Sequence, residues 1–153
     1  MGSLPHLSLV VELARFLPTI TRFLSFRLVE VPQVAKKIAV IDDSRTFVEL
    51  MQSILQREGY EVLPIVGSAG AFERVKRERP NLVILDIMMP GQSGWEVLDQ
   101  LQFDAQTSDI PIIISTAVKS TASRLRGQRF ELLRKPFDID VLLSKVEAAI
   151  GRP

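Results

Sequence analysis

Three times along this chain a short apolar run stops abruptly at polar residues. Ile38-Ala-Val-Ile41 runs into Asp42-Asp43, Leu82-Val-Ile-Leu85 into Asp86, and the stretch Ile110 to Ile114 into Ser115-Thr116. Runs so short, apolar on both alternating faces, read as strands buried on both sides, and such strands belong to parallel sheets. Helical spacing fills the intervals between them. Phe47, Leu50, Met51, Ile54 and Leu55 recur on one helical face, and Gly59 stands where that helix stops. Val62 to Val66 is a second strand. Ala69, Phe72 and Val75 mark a second helix opposite Arg74, Lys76, Arg77 and Glu78, and Trp95, Leu98 and Leu101 mark a third. A weak, polar fourth helix is expected over Ala117 to Arg126 and a short fifth strand around Leu132-Leu133. A strong fifth helix carries Ile139, Leu142, Leu143, Val146, Ala149 and Ile150.

Strand and helix alternate five times, which predicts an α/β fold: a (βα)5 doubly wound, five-stranded parallel sheet of flavodoxin-like type with helices on both faces. The fold is expected over residues 37–153, with a boundary at about Pro32 to Lys37. Residues 1–36 form an apolar and amphipathic N-terminal extension. Its charges (Glu12, Arg15, Arg22, Arg27, Glu30) interrupt every apolar run before membrane-spanning length, and Pro18 breaks any single helix. The start lacks a basic region of the signal-peptide kind. An amphipathic helical arm packing on the domain or on a second copy of the chain is favoured over a helix lying on a membrane surface. A homodimer is one consequence of that arm.

Composition narrows the chemistry. Among 153 residues there are no cysteines and one histidine, His6, which excludes thiolate zinc sites, disulfides, cysteine nucleophiles and histidine-based triads. A formal net charge of +1 gives no reason to expect nucleic acid as a partner. Chemistry must come from carboxylates, hydroxyls, lysines and backbone. Ligands of doubly wound sheets bind beyond the carboxyl ends of the strands, and the polar residues fall there in order: Asp42 and Asp43, Asp86, Thr116, Lys135. Clustered carboxylates repel unless a cation joins them, and a hard divalent ion such as Mg²⁺ needs one or two carboxylates plus waters. Asp43 and Asp86 are the ligand candidates, with a backbone carbonyl from Ile87-Met88-Met89. A cation, a lysine, a hydroxyl and a nucleophilic carboxylate suit phosphoryl transfer. Each residue alone has an ordinary explanation, Asp43 or Ser44 as a helix cap and Asp86 as a turn residue before Pro90-Gly91. Their joint placement does not.

At these residues the chain resembles the receiver domain of two-component signalling. The matching pieces are Ile41-Asp42-Asp43-Ser44, Leu85-Asp86-Ile87-Met88-Met89-Pro90-Gly91 with Ser93-Gly94, Pro111 to Ala117, and Lys135-Pro136-Phe137. The intervals are 43 residues from Asp43 to Asp86, 30 to Thr116 and 19 more to Lys135. The resemblance covers about Lys37 to Ile150. It implies that Asp86 accepts a phosphoryl group from a phosphohistidine on a histidine kinase or histidine phosphotransfer protein. It implies Mg²⁺ bound by Asp43, Asp86 and the Met88 carbonyl, with Asp42 helping through water. Thr116 and Lys135 would each contact a phosphoryl oxygen, and the Lys135-Pro136 bond would be cis. The chain would be a cytoplasmic, stand-alone response regulator. It would be no enzyme beyond self-phosphotransfer and autodephosphorylation, and it would signal to a downstream protein through the fourth helix, fifth strand and fifth helix. The alternative is a receiver-like adaptor that works without phosphorylation. An aspartyl phosphohydrolase is disfavoured by Met88, which stands where such enzymes carry a second acid. The chain departs from the family in having Leu132 where an aromatic residue is common. Phe130 is expected on a different phase of that strand, and Met88 and Val118 are expected to flank the phosphoryl site and slow its hydrolysis.

Overall fold

A computed structural model describes residues 35–90, 93–117 and 130–153. The chain divides between Gln33 and Val34, and the later unit holds every element described here. Residues 1–34 of the N-terminal extension, the expected fourth helix beyond Ala117, and Val118 lie outside the described residues.

Five parallel strands form one sheet in the order β2-β1-β3-β4-β5: β1 Lys37–Asp42, β2 Glu61–Val66, β3 Leu82–Asp86, β4 Ile112–Thr116 and β5 Phe130–Arg134. The helices are α1 Arg45–Arg57, α2 Ala71–Glu78, α3 Gly94–Phe103 and α4 Ile139–Ile150. This is the doubly wound α/β architecture that the alternation of elements predicts. The central strands β1, β3 and β4 are buried almost throughout. Pro64, which cannot donate to a neighbouring strand, sits in edge strand β2.

Pleating divides the core in two. Ile38, Val40, Leu82, Ile84, Ile113 and Leu133 face Val48, Met51 and Leu55 of α1 and Leu142 and Val146 of α4. Ala39, Ile41, Val83, Leu85, Ile112 and Ile114 face Ala71 and Val75 of α2 and Val97, Leu98 and Leu101 of α3. Burying each such aliphatic side chain is worth roughly 1.5–3 kcal/mol.

Four details differ from the sequence reading. Leu50 and Ile139 are exposed rather than core-facing; the buried positions of their helices are Val48, Met51 and Leu55 in α1 and Leu142 and Val146 in α4. Ala69 precedes α2 and is exposed; Ala71 takes the buried position. Strand β4 begins at Ile112, two residues later than Ile110, since Pro111 has no N–H for a ladder. Phe130 and Leu132 share a phase: two residues apart on β5, both pack on the α2–α3 side of the sheet.

Candidate functional site

Strand order 2-1-3 means that the chain leaves β1 on one side and returns to the sheet on the other. The loops after β1 and β3 therefore diverge and leave a crevice above their carboxyl ends. The register aligns Ile41 with Leu85 and Asp86 with Ser115. Asp42 and Asp86 are thus the last residues of neighbouring strands and leave the same face of the sheet.

Each loop backbone fixes its acid. Asp42 Oδ1 accepts from the Ser44 N–H at 2.9 Å, and Ser44 Oγ in turn caps α1 by accepting from the Phe47 N–H at 3.3 Å. Asp86 Oδ1 accepts from the Met88 N–H at 2.8 Å, an Asx turn that folds the chain back over the strand end. Gly94, the first residue of α3, lies against this turn. A Cβ there would come within 2.2 Å of the Asp86 carbonyl oxygen and 2.4 Å of Ile87 Cα. Only glycine lets α3 start so close to the acid.

The remaining oxygens meet Lys135. Its Nζ donates to Asp42 Oδ2 at 2.5 Å and to Asp86 Oδ2 at 2.8 Å. The Lys135 N–H donates to the Thr116 carbonyl at 3.0 Å, so the lysine is positioned by the end of β4 as well as by β5. The Lys135–Pro136 peptide is cis, as the resemblance implies. Thr116 is fully buried, one residue beyond the register partner of Asp86.

Charge in the cluster does not balance. Burial pushes the Asp42 carboxyl above its ordinary value despite the hydrogen bonds from Lys135 and Ser44, and the charge of Asp86 adds to the rise. For Lys135 burial acts downward, but the hydrogen bonds to Asp42 and Asp86 prevail and hold the ammonium above its ordinary value. Both directions express one fact: more acids than bases share a poorly solvated space.

That surplus suits a hard cation. Asp42, Asp43 and Asp86 each offer an oxygen within 4.8 Å of the others, Asp43 from an exposed position. Opposite ligands of octahedral Mg²⁺ stand about 4.2 Å apart. Three carboxylate oxygens this close fit the oxygen-donor chemistry of such an ion. The site therefore brings together Asp42, Asp43, Asp86 and Lys135, and ties the Thr116 backbone to Lys135. Two features escaped the sequence reading: Asp42 engages Lys135 directly and is the more buried acid, and the ring of Phe47 lies beneath the ammonium. Phe47 has the spacing of an ordinary core residue, so no sequence signal separates it from one.

The family model of the response regulator receiver domain matches residues 38–147. Protein PilH of Pseudomonas aeruginosa is 32% identical over 118 residues, covering 75% of this chain and 98% of that protein. Among solved structures, the chemotaxis protein CheY4 of Vibrio cholerae aligns with a TM-score of 0.68 and 25% identity, covering 75% of this chain and 98% of that one. The receiver domain of the sensor histidine kinase PA1611 from Pseudomonas aeruginosa, crystallised with magnesium in its active-site cleft, aligns with a TM-score of 0.69 over 76% of this chain and 98% of its own. At 21% identity that last likeness speaks to the fold alone.

Proposed function

Since the chain belongs to the response regulator receiver domain family of two-component signalling, we propose that it is a phosphorylation switch whose acceptor is Asp86. The observation that carries this reading is the lysine forked between two strand-end carboxylates, with a third carboxylate beside them.

An Asp86 carboxylate oxygen attacks the phosphorus of a phosphohistidine on a histidine kinase or phosphotransfer protein. A P–O bond forms, the P–N bond breaks, and its electron pair returns to the imidazole. Water later attacks the same phosphorus, the P–O bond to Asp86 breaks, inorganic phosphate leaves, and the carboxylate is restored. Asp43, Asp86 and the Met88 carbonyl would hold Mg²⁺, with Asp42 helping through water, and the ion would neutralise charge on the phosphoryl oxygens. Lys135 shifts from carboxylate oxygen to phosphoryl oxygen, since phosphorylation moves the negative charge it was paired with from the Asp86 carboxylate to the phosphoryl group. Thr116 donates its hydroxyl to another phosphoryl oxygen.

Output passes to a protein target over the face that β5 and α4 share. A groove of about 480 Å³ lies there, lined in part by Leu132, Arg134, Phe137 and Val141. Phe137 also touches Phe47 at the site, so the groove adjoins the chemistry. Intact-mass analysis after acetyl phosphate and Mg²⁺ tests the reading. Wild type is expected to gain one phosphoryl group and Asp86→Ala none. A wild-type chain that gains nothing supports the phosphorylation-independent adaptor instead.

A further inference from the structure

Lys135 rests on an aromatic face as well as on two carboxylates. Its Nζ lies 4.1 Å from the centroid of the Phe47 ring. Phe47 meets Phe137 edge to face, with centroids 6.0 Å apart and planes at 83°. The Ser44 cap holds the Phe47 backbone through its N–H, and both rings pack as half-buried residues against the core between α1, α4 and the sheet. Ring, lysine and second ring thus come from α1, the end of β5 and the loop before α4.

We propose that Phe47 is a positioning residue for Lys135, its ring face holding the ammonium at the site while the ammonium exchanges carboxylate oxygen for phosphoryl oxygen. This inference rests on Asp86 being the phosphoryl acceptor. An ammonium has three N–H donors. Two go to Asp42 and Asp86, leaving the third for the negative face of the ring. When Asp86 becomes an acyl phosphate the negative charge passes from its carboxylate to the phosphoryl oxygens, and Lys135 must follow it a short distance. A lysine stem has four rotatable bonds and about 2 kcal/mol of rotamer entropy with which to leave. Aromatic attraction survives the exchange, because it does not depend on which oxygen the other donors reach. The edge contact from Phe137 keeps the ring from turning its face away.

The test compares Phe47→Leu, which keeps an apolar side chain without a π face, with Phe47→Tyr, which keeps the face. Phosphorylation of Asp86 by saturating acetyl phosphate and Mg²⁺ is followed by intact mass. The Lys135 ε-methylene proton shifts are read by NMR on the full chain. In wild type the ring current should displace those shifts upfield. F47L should return them to ordinary values and slow phosphorylation roughly twofold to thirtyfold, the rate equivalent of one partly desolvated cation–π contact. F47Y should keep the displaced shifts and stay within about twofold of wild type, as the face alone predicts. If F47L does not fold, Phe47→Met replaces it in the same comparison. A chain phosphorylated at Asp86 in which the variant without a ring matches wild type would overturn this inference alone. A wild-type chain that takes no phosphoryl group would overturn the acceptor reading and this inference together.

Discussion

Two lysines in this fold do the same thing at opposite ends of the sheet. Lys37, at the start of β1, is forked between Glu61 and Glu78, at 3.2 Å from each. Lys135, just past β5, is forked between Asp42 and Asp86. The two lysine side chains are similarly covered, 24% and 21% exposed. Their acids are not: Glu61 and Glu78 are 56% and 32% exposed, Asp42 and Asp86 only 2% and 9%. Two forks of the same form, one lysine between two acids, therefore have opposite consequences. The hydrogen bonds from Lys37 and Arg77 lower the Glu78 carboxyl, the ordinary result for a solvated ion pair. Burial raises Asp42 although it has a lysine at hydrogen-bond distance. At the amino end water and Arg77 share the charge of the acids; at the carboxyl end the acids are buried and a further cation suits them.

The largest expected effects fall on the buried fork. Asp86→Asn should abolish phosphorylation by acetyl phosphate, because an amide offers no anionic oxygen. It should not lower the thermal midpoint of the metal-free chain, since it removes one of two like charges. Lys135→Met should both slow phosphorylation and destabilise the fold, on the order of 3 kcal/mol by denaturant unfolding, because it strands two buried carboxylates. A loss of activity in Lys135→Met with no loss of stability would show that the buried acids are better solvated than their exposure suggests.

Much of this end of the molecule is legible in the sequence. Short apolar runs ending in Asp42-Asp43, Asp86 and Thr116 define central strands, and parallel topology then brings those ends to one edge. The spatial detail is not legible. Periodicity marks Phe47 as an apolar position on α1 but cannot say that Lys135, 88 residues later, will lie over it (135 − 47). Whether Asp42 touches Lys135 directly depends on the Ser44 N–H turning its other oxygen, a backbone event of the loop. The phase of Phe130 is legible, since alternation alone places residues 130 and 132 on one face. The width of an apolar stripe does not reveal how much of it the sheet will cover, hence Leu50 and Ile139 in water.

An intermediate effect concerns pH. Between 3.8, the ordinary value for Asp42, and its higher value in the folded chain, the native state holds a proton that the unfolded state has released. Stability attributable to Asp42 must therefore fall as pH rises through that interval and level off above it. Glu78 has the opposite sign: its contribution is present above 4.5 and is lost as pH falls through its lowered folded value. Unfolding curves of wild type and Asp42→Asn across this range should diverge, the variant lacking the fall. Millimolar Mg²⁺ should stabilise wild type at neutral pH by mass action and Asp43→Asn less. Curves for wild type and Asp42→Asn that run parallel would mean that Lys135 already compensates the buried acid in full.

The smallest effect is expected at the exposed fork, and it is the one that tests the comparison itself. Lys37→Met removes as many ion pairs as Lys135→Met, and it sits at the first register pair of β1 and β2, where Lys37 aligns with Glu61. If counting contacts governed stability, the two variants would lose alike. Solvation argues otherwise. Glu61 and Glu78 can be rehydrated when the ammonium goes, and the methionine stem keeps the lysine's apolar cover over the strand end. Lys37→Met should therefore keep its thermal midpoint within about 2 °C of wild type. The small difference should vanish in about 1 M salt, where charges are screened within about 3 Å. Its phosphorylation rate should be unchanged, since the sheet's full length separates it from Asp86. A loss matching that of Lys135→Met would mean that burial of the acids is not what sets the two lysines apart.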